Sequence, residues 1–253
     1  MQLDRQAPIL VTGSAGRIGS AGVRALAEAG WRPRGFDQVP TPGTKDFVVG
    51  DLTDAGALQQ AAAGAGALIP LAAVPDDDDF MTRLLPANIV GLYNVLEAAR
   101  LGGVRRVLLA STGQVVWWQQ LEGPHPIGAD VPYSPRYWYS VTKIAAEMAG
   151  KFYAGEFKMT VIAMRLGWCP RDQQQLAELE ATPRGHNTYL SPRDAGRFFV
   201  RAMEADLEPG FSIVYVCSRP KYEPIFDPEP ARELVGFEPQ DQWPAGAAEG
   251  IQG

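Results

Sequence analysis

"VTGSAGRIGS", residues 11–20, is the stretch whose reading decides the fold. It sets Gly13, Gly16 and Gly19 at three-residue spacing. The short apolar run "APILVTG" (7–13) leads into it and reads as a buried parallel strand. "RIGSAGVRALAEAG" (17–30) leads out of it as a helix, with Ile18, Val23, Leu26 and Ala27 on one face and Gly30 as the stop. Glycines between a strand and a helix let backbone amides approach a diphosphate, and the helix N-terminus favours the anion. The spacing differs from the G-x-G-x-x-G form, so glycine count alone does not decide; the strand–turn–helix context does.

Outward from that turn the chain alternates strand and helix patterns. Further strands are expected over 31–37, 45–52, 67–74, 104–112, 159–167 and 211–218, and helices over 55–66, 87–103, 139–156 and 191–205. Ser191 caps the last helix and Pro192 takes its first position. A long loop is expected from 113 to about 136. Strands separated by helices imply an α/β fold with a Rossmann-like, doubly wound parallel sheet. The expectation is a single domain over 1–253 with a small C-terminal substrate-binding portion. Substrate-binding segments are placed near 74–86, 113–136 and 168–190, with a tail at 219–253. The run "DDDD" (76–79) reads as a solvated loop.

Composition narrows the function. The chain has 253 residues, 46% of them hydrophobic, a mean hydropathy of −0.12, a net charge of −6 and a pI of about 5.0. An acidic chain of this kind does not favour nucleic acid or an anionic membrane. No apolar run is long enough to span a bilayer, and "MQLDRQAPILVTG" lacks the shape of a signal peptide. Cys169 and Cys217 have no metal-ligand spacing, and His125 and His186 are the only histidines. A histidine-based metal site and a Ser-His-Asp triad are therefore disfavoured, no metal is expected, and the protein reads as cytoplasmic.

Other residues fit the glycine turn. Asp37 ends the second strand, from which an acid reaches the adenosine ribose hydroxyls and repels a 2′-phosphate, so NAD is favoured over NADP. Arg34, close by, works against that preference. Asp51-Leu52 ends the third strand and could hold the adenine or serve a turn. Thr112 ends the fifth strand, on the side where open α/β sheets bind ligands. "YWYSVTK" (137–143) then sets Tyr139 and Lys143 one helical turn apart. Such pairs are common on helix surfaces, but this one follows a glycine-rich first turn and a strand-end hydroxyl.

Together, T-G-x-x-G-x-x-G (12–19), Asp37, "DL" (51–52), "NIVGLYNVLEAA" (88–99), "AST" (110–112) and Y-x-x-x-K resemble the extended short-chain dehydrogenase/reductase family, in its epimerase/dehydratase branch. "ARELVGFEPQD" (231–241) is similar to the tail of that branch. The resemblance implies Tyr139 as general acid/base, Thr112 as the partner hydroxyl and Lys143 on the nicotinamide ribose. Lys143 and the oxidised nicotinamide would together lower the phenol pKa. Asn88 matches the helix asparagine that supports the lysine. The cofactor, NAD, is assigned to Gly13, Ala15, Gly16, Arg17, Ile18, Gly19, Asp37, Asp51, Leu52, Leu71, Ala72, Ala73, Asn88, Tyr139, Lys143 and Leu166. A small-molecule substrate and a homo-oligomer go with the resemblance.

Within the family the chain most resembles uronate dehydrogenases, through "RLGWCP" (165–170) and "RGHNTYLSPRDAGRF" (184–198). That likeness assigns the substrate carboxylate to Arg184, whose planar guanidinium suits it. Pro75, Thr112, Gly113, Gln114 and Tyr139 complete the implied substrate contacts. The family's uronate enzymes carry Ser-Asn-His where this chain has Thr112-Gly113-Gln114, and a serine near Pro75, so contacts to sugar hydroxyls must differ. Dehydratases carry Asp-Glu after the catalytic threonine, which Gly113-Gln114 does not match. Trp117, Trp118, Trp138 and Trp168 flank these motifs and could stack on a sugar, pack the core or face another subunit. The expected activity is oxidation of a uronic acid at the anomeric carbon to a lactone. The alternatives are a nucleotide-sugar epimerase and an NAD-sensing or scaffold protein.

Overall fold

The computed structural model describes residues 2–249 and 251. Seven strands form one parallel sheet in the order β3-β2-β1-β4-β5-β6-β7: β1 (Ile9–Thr12), β2 (Pro33–Asp37), β3 (Phe47–Val49), β4 (Ala67–Pro70), β5 (Arg106–Thr112), β6 (Thr160–Leu166) and β7 (Gly210–Val216). The order reverses between β1 and β4, so a crevice opens at their carboxyl ends. β1, β4 and β5 are buried along their whole length, as suits the apolar stretches at 9–11, 67–70 and 107–110.

Helices cover both faces of the sheet. Helices α1 (Arg17–Glu28) and α8 (Pro192–Glu204) pack one face through Val23, Leu26, Phe198 and Phe199. Gly22 and Gly196 let them approach, since a Cβ on Gly22 would meet the Phe199 ring at 2.6 Å. On the other face α2 (Ala55–Ala62), α3 (Leu92–Leu101) and α5 (Trp138–Phe157) bury Leu58, Leu96, Ala146 and Tyr153. The doubly wound parallel sheet is the architecture the sequence implies.

The departures lie outside the sheet. Helical structure before α3 begins at Phe80 rather than near 87, as a widened π-type helix over Phe80–Gly91 that contains Pro86. Proline has no N–H and its ring crowds the carbonyl four residues back, which disfavours the tighter α register. The aspartate run is exposed, as expected of a solvated loop, yet it makes specific bonds. Asp79 caps the Thr82 amide, Asp77 accepts from the Tyr139 amide, and Asp76 pairs with Arg171 at 3.0 Å. The expected long loop after β5 holds α4 (Trp117–Glu122). Arg184 sits in a short helix, α7 (Pro183–Thr188), not in a loop, and it follows α6 (Gln173–Glu180). The tail holds α9 (Glu229–Val235).

Candidate active site

A cleft of about 960 Å³ runs along the carboxyl ends of the strands. Its dinucleotide end is made mostly of backbone. Gly13 has φ +67, and a Cβ there would lie 2.6 Å from the Ala72 amide nitrogen, so the turn can sit close to β4 only with glycine. A Cβ on Gly16 would meet nothing but the Gly13 carbonyl, at 3.2 Å, so the space outside this turn is open. Arg17, at the first position of α1, lines the cleft and has a buried Nη1 with no partner. Open room at a helix N-terminus and an unpaired cationic donor suit the diphosphate of a dinucleotide.

Beside the ends of β2 and β3 the cleft is lined by Asp37, Gln38, Asp51, Leu52 and Thr53. The Asp37 carboxylate accepts from the Ala15 amide at 3.0 Å and from the Gln38 amide at 2.7 Å. Ala15 is therefore tied to Asp37 and is not on the cleft wall, unlike Gly13, Gly16, Arg17, Ile18 and Gly19. Arg34 is drawn away from the cleft: it pairs with Asp46 at 2.9 Å and donates to the Ala61 and Ala63 carbonyls.

β5, β6 and α5 meet at the middle of the cleft. Thr112, Tyr139 and Lys143 are each 8% exposed and line it together, with Leu71, Ala72, Ala73 and Leu166 around them. Lys143 Nζ lies 5.7 Å from the Tyr139 ring centroid and donates to the Ala110 carbonyl at 3.3 Å. Burial pushes the Tyr139 phenol up to about 12, and Asp76 adds to the rise; Arg171 and a hydrogen bond from Thr112 work against it. Burial pulls the Lys143 ammonium down to about 8. The expected lowering of the phenol is thus absent from the protein alone. Lys143 Nζ is turned to a carbonyl, and its own charge is weakened by the burial that raises the phenol.

Asn88 is buried but off the cleft wall. Its amide exchanges hydrogen bonds with Val74, at 2.8 and 3.0 Å, and donates to Thr142 Oγ1 at 3.1 Å. It fixes the segment after β4 against α5 one residue before Lys143. Behind the site, Ser111 donates to Glu147 at 2.5 Å, and Arg165 meets both Glu147 oxygens at 3.0 Å. That fully buried pair locks α5 to β5 and β6.

The far end of the cleft is lined by Pro75, Gly113, Gln114, Trp117, Gln120, Trp168, Arg171, Arg184 and Phe226. Gly113 lies over Phe226, where a Cβ would meet the ring at 2.5 Å. Gln114 Oε1 is buried with no partner. The half-buried Arg184 guanidinium stacks 4.8 Å from the Trp117 ring, with one long bond of 3.4 Å to Gln120 Oε1. No carboxylate pairs with it among the described residues. Arg136 also stacks on Trp117, at 5.2 Å, and burial together with that second cation lowers the Arg184 pKa. Of the four flanking tryptophans, Trp117 and Trp168 face the cleft, whereas Trp118 and Trp138 are exposed. Asp76, Gln120 and Arg171 fall in segments assigned to the substrate but were not named individually as site residues, and Phe226 lies in the tail; the fold brings all four to this wall.

Known proteins resemble this chain over most of its length. The model of the NAD dependent epimerase/dehydratase family matches residues 9–168. An L-arabinose 1-dehydrogenase (NAD(P)(+)) of Haloferax volcanii is 31% identical, over 93% of this chain and 97% of its own. An NAD-dependent glucose-6-phosphate dehydrogenase of the same organism is 30% identical, over 92% and 93%. A mutant uronate dehydrogenase from Agrobacterium tumefaciens, solved in complex with NAD, superimposes with a TM-score of 0.76 at 26% identity, over 93% of this chain and 85% of that one.

Proposed function

The chain belongs to the NAD dependent epimerase/dehydratase family, and we propose that it oxidises a sugar-like alcohol bearing an anionic group, best matched by a uronic acid taken at its anomeric carbon to the lactone. That it is an NAD-dependent oxidoreductase follows from the family and its dehydrogenase relatives. The finer reading rests on one observation above all. Arg184, half-buried and with no acidic partner among the described residues, stands at the far end of the cleft that holds Tyr139. A buried guanidinium without a counter-ion is costly, and a substrate carboxylate would neutralise it with paired hydrogen bonds.

In this reading Tyr139 takes the proton of the substrate hydroxyl and Thr112 holds the same oxygen. When bound, NAD accepts the hydride from the carbinol carbon and brings a positive charge beside the phenol. Lys143 binds the nicotinamide ribose, and Asn88 holds its helix in place. Gln114 Oε1 accepts from a ring hydroxyl, which would satisfy its unpaired oxygen. Asp37 takes the adenosine ribose and rejects a 2′-phosphate, with Arg34 diverted to Asp46. The substrate-binding segments are then 74–86, 113–136 and 168–190 of one domain. A cytoplasmic location fits its two free cysteines.

The test is NAD reduction, read at the nicotinamide absorbance, across uronic acids, neutral sugars, sugar phosphates and aliphatic alcohols. Turnover concentrated in the uronic acids is expected. Turnover confined to neutral sugars would overturn the substrate reading, and none with any alcohol would overturn the dehydrogenase reading.

A homo-oligomer belongs to the same proposal. Tyr93 and Leu101 of α3 and Val141, Met148 and Phe152 of α5 are large, apolar and exposed on neighbouring helices of one sheet face. A two-fold axis would pack such a helix pair against its own copy. Sedimentation should give a dimer that Phe152→Glu splits; a wild-type monomer at micromolar concentration would contradict this.

A further inference from the structure

Arg17 is held from an unexpected direction. Its Nε donates to the Glu249 carbonyl at 3.2 Å, and its Nη2 donates to the Gly246 carbonyl at 3.2 Å and to the Ala247 carbonyl. All three acceptors lie in the C-terminal segment, more than 220 residues away in sequence. Gly246 adopts φ +73, and this left-handed turn aims successive carbonyls at one guanidinium. The segment is anchored at both ends. Trp243 stacks on His186 at 5.8 Å, meets Tyr189 edge-on at 5.1 Å and donates to Glu180. Tyr189 donates to the Ala245 carbonyl at 2.8 Å, and Glu249 pairs with Arg193 at 3.4 Å. With Nε and Nη2 taken, Nη1 is left without a partner, on a side chain that lines the cleft. No carboxylate pairs with Arg17 among the described residues.

We propose that residues 243–249 form a strap whose carbonyls hold the Arg17 side chain in place to bind the diphosphate of the cofactor. A guanidinium on a flexible stem would lose rotamer freedom on binding, and a strap that fixes it beforehand removes that cost. The unpaired Nη1 then finds its acceptor in a phosphate oxygen. The strap is therefore part of the cofactor site although it lies at the other end of the chain, and its anchors are the helices that carry the substrate-binding segment.

The experiment measures binding, not turnover. Dissociation constants for NAD and ADP are taken by calorimetry, and for adenosine by saturation-transfer NMR. The proteins are wild type, Arg17→Met, Gly246→Val, a chain ending at Trp243, and that shortened chain carrying Arg17→Met. Each variant should bind NAD and ADP about tenfold or more weakly, the size of one charge-assisted hydrogen bond. Adenosine, which has no phosphate, should bind within about twofold of wild type. Because the strap acts through Arg17, the combined variant should be no weaker than Arg17→Met alone. Wild-type affinity in Arg17→Met or Gly246→Val overturns the proposal, as do losses that multiply in the combined variant or fall equally on adenosine. Circular dichroism checks the fold; if the shortened chain does not fold, Gly246→Val at full length decides.

Discussion

The two ends of the cleft are built differently. At the dinucleotide end the wall is backbone, set by three glycines, a strand end and the start of α1. At the substrate end it is side chains from α4, α7 and the segments after β4, β5, β6 and β7. Backbone walls serve a ligand common to a whole family, whereas side-chain walls can be exchanged without disturbing the sheet. The relatives agree with that division: a dehydrogenase of arabinose and one of glucose 6-phosphate are about equally similar to this chain. Tyr139, the proposed general base, sits where the two walls meet, on a helix fixed from behind by the Glu147–Arg165 pair.

The sharpest way to separate the two ends is to remove chemistry without touching either. Tyr139→Phe deletes one buried oxygen. Turnover should fall by about 10²–10⁴-fold, while NAD affinity, measured by calorimetry, stays near wild type. A variant with near-normal kcat would break the account, whatever its KM.

A smaller effect should appear in the pH profile. Oxidation needs the phenolate, so kcat/KM should rise with pH. Burial and Asp76 raise the phenol, and Arg171 opposes them. Asp76→Asn removes a raising charge and should move the rising limb to lower pH; Arg171→Gln should move it to higher pH. Both groups are exposed at the cleft mouth, so the shifts should be a few tenths of a unit and shrink in salt. Shifts in the same direction would mean that the pair acts through loop position and not through charge.

The same division explains what could be read in advance. The strand–turn–helix unit, Asp37, Thr112 and the Tyr139–Lys143 pair are local patterns, and the sheet order brings them to one crevice. Arg184 was placed by likeness, but its helix was not, because α7 is six residues long and starts from Thr182 and Pro183 with little periodicity. Asp76, Arg171 and Phe226 carried no signal of their own, although the first two fall in segments assigned to the substrate: their partners lie 60 or more residues away, Arg171 on Asp76 and Phe226 under Gly113. One reading changed for a physical reason: Arg34, close to Asp37 in sequence, is held by Asp46 and turned from the cleft. Lys143 and the oxidised nicotinamide together are expected to acidify Tyr139; in the protein alone burial dominates both groups.

The most direct test of the central claim sets a uronic acid against the neutral sugar of the same ring, in wild type and Arg184→Gln. The account predicts that wild type prefers the acid and that the substitution raises KM for the acid by about ten- to a hundredfold, the worth of a charge-assisted pair, while kcat/KM for the neutral sugar stays within about twofold. Equal losses for both substrates would mean that Arg184 shapes α7 and reads no anion, and the uronate reading would fall with it.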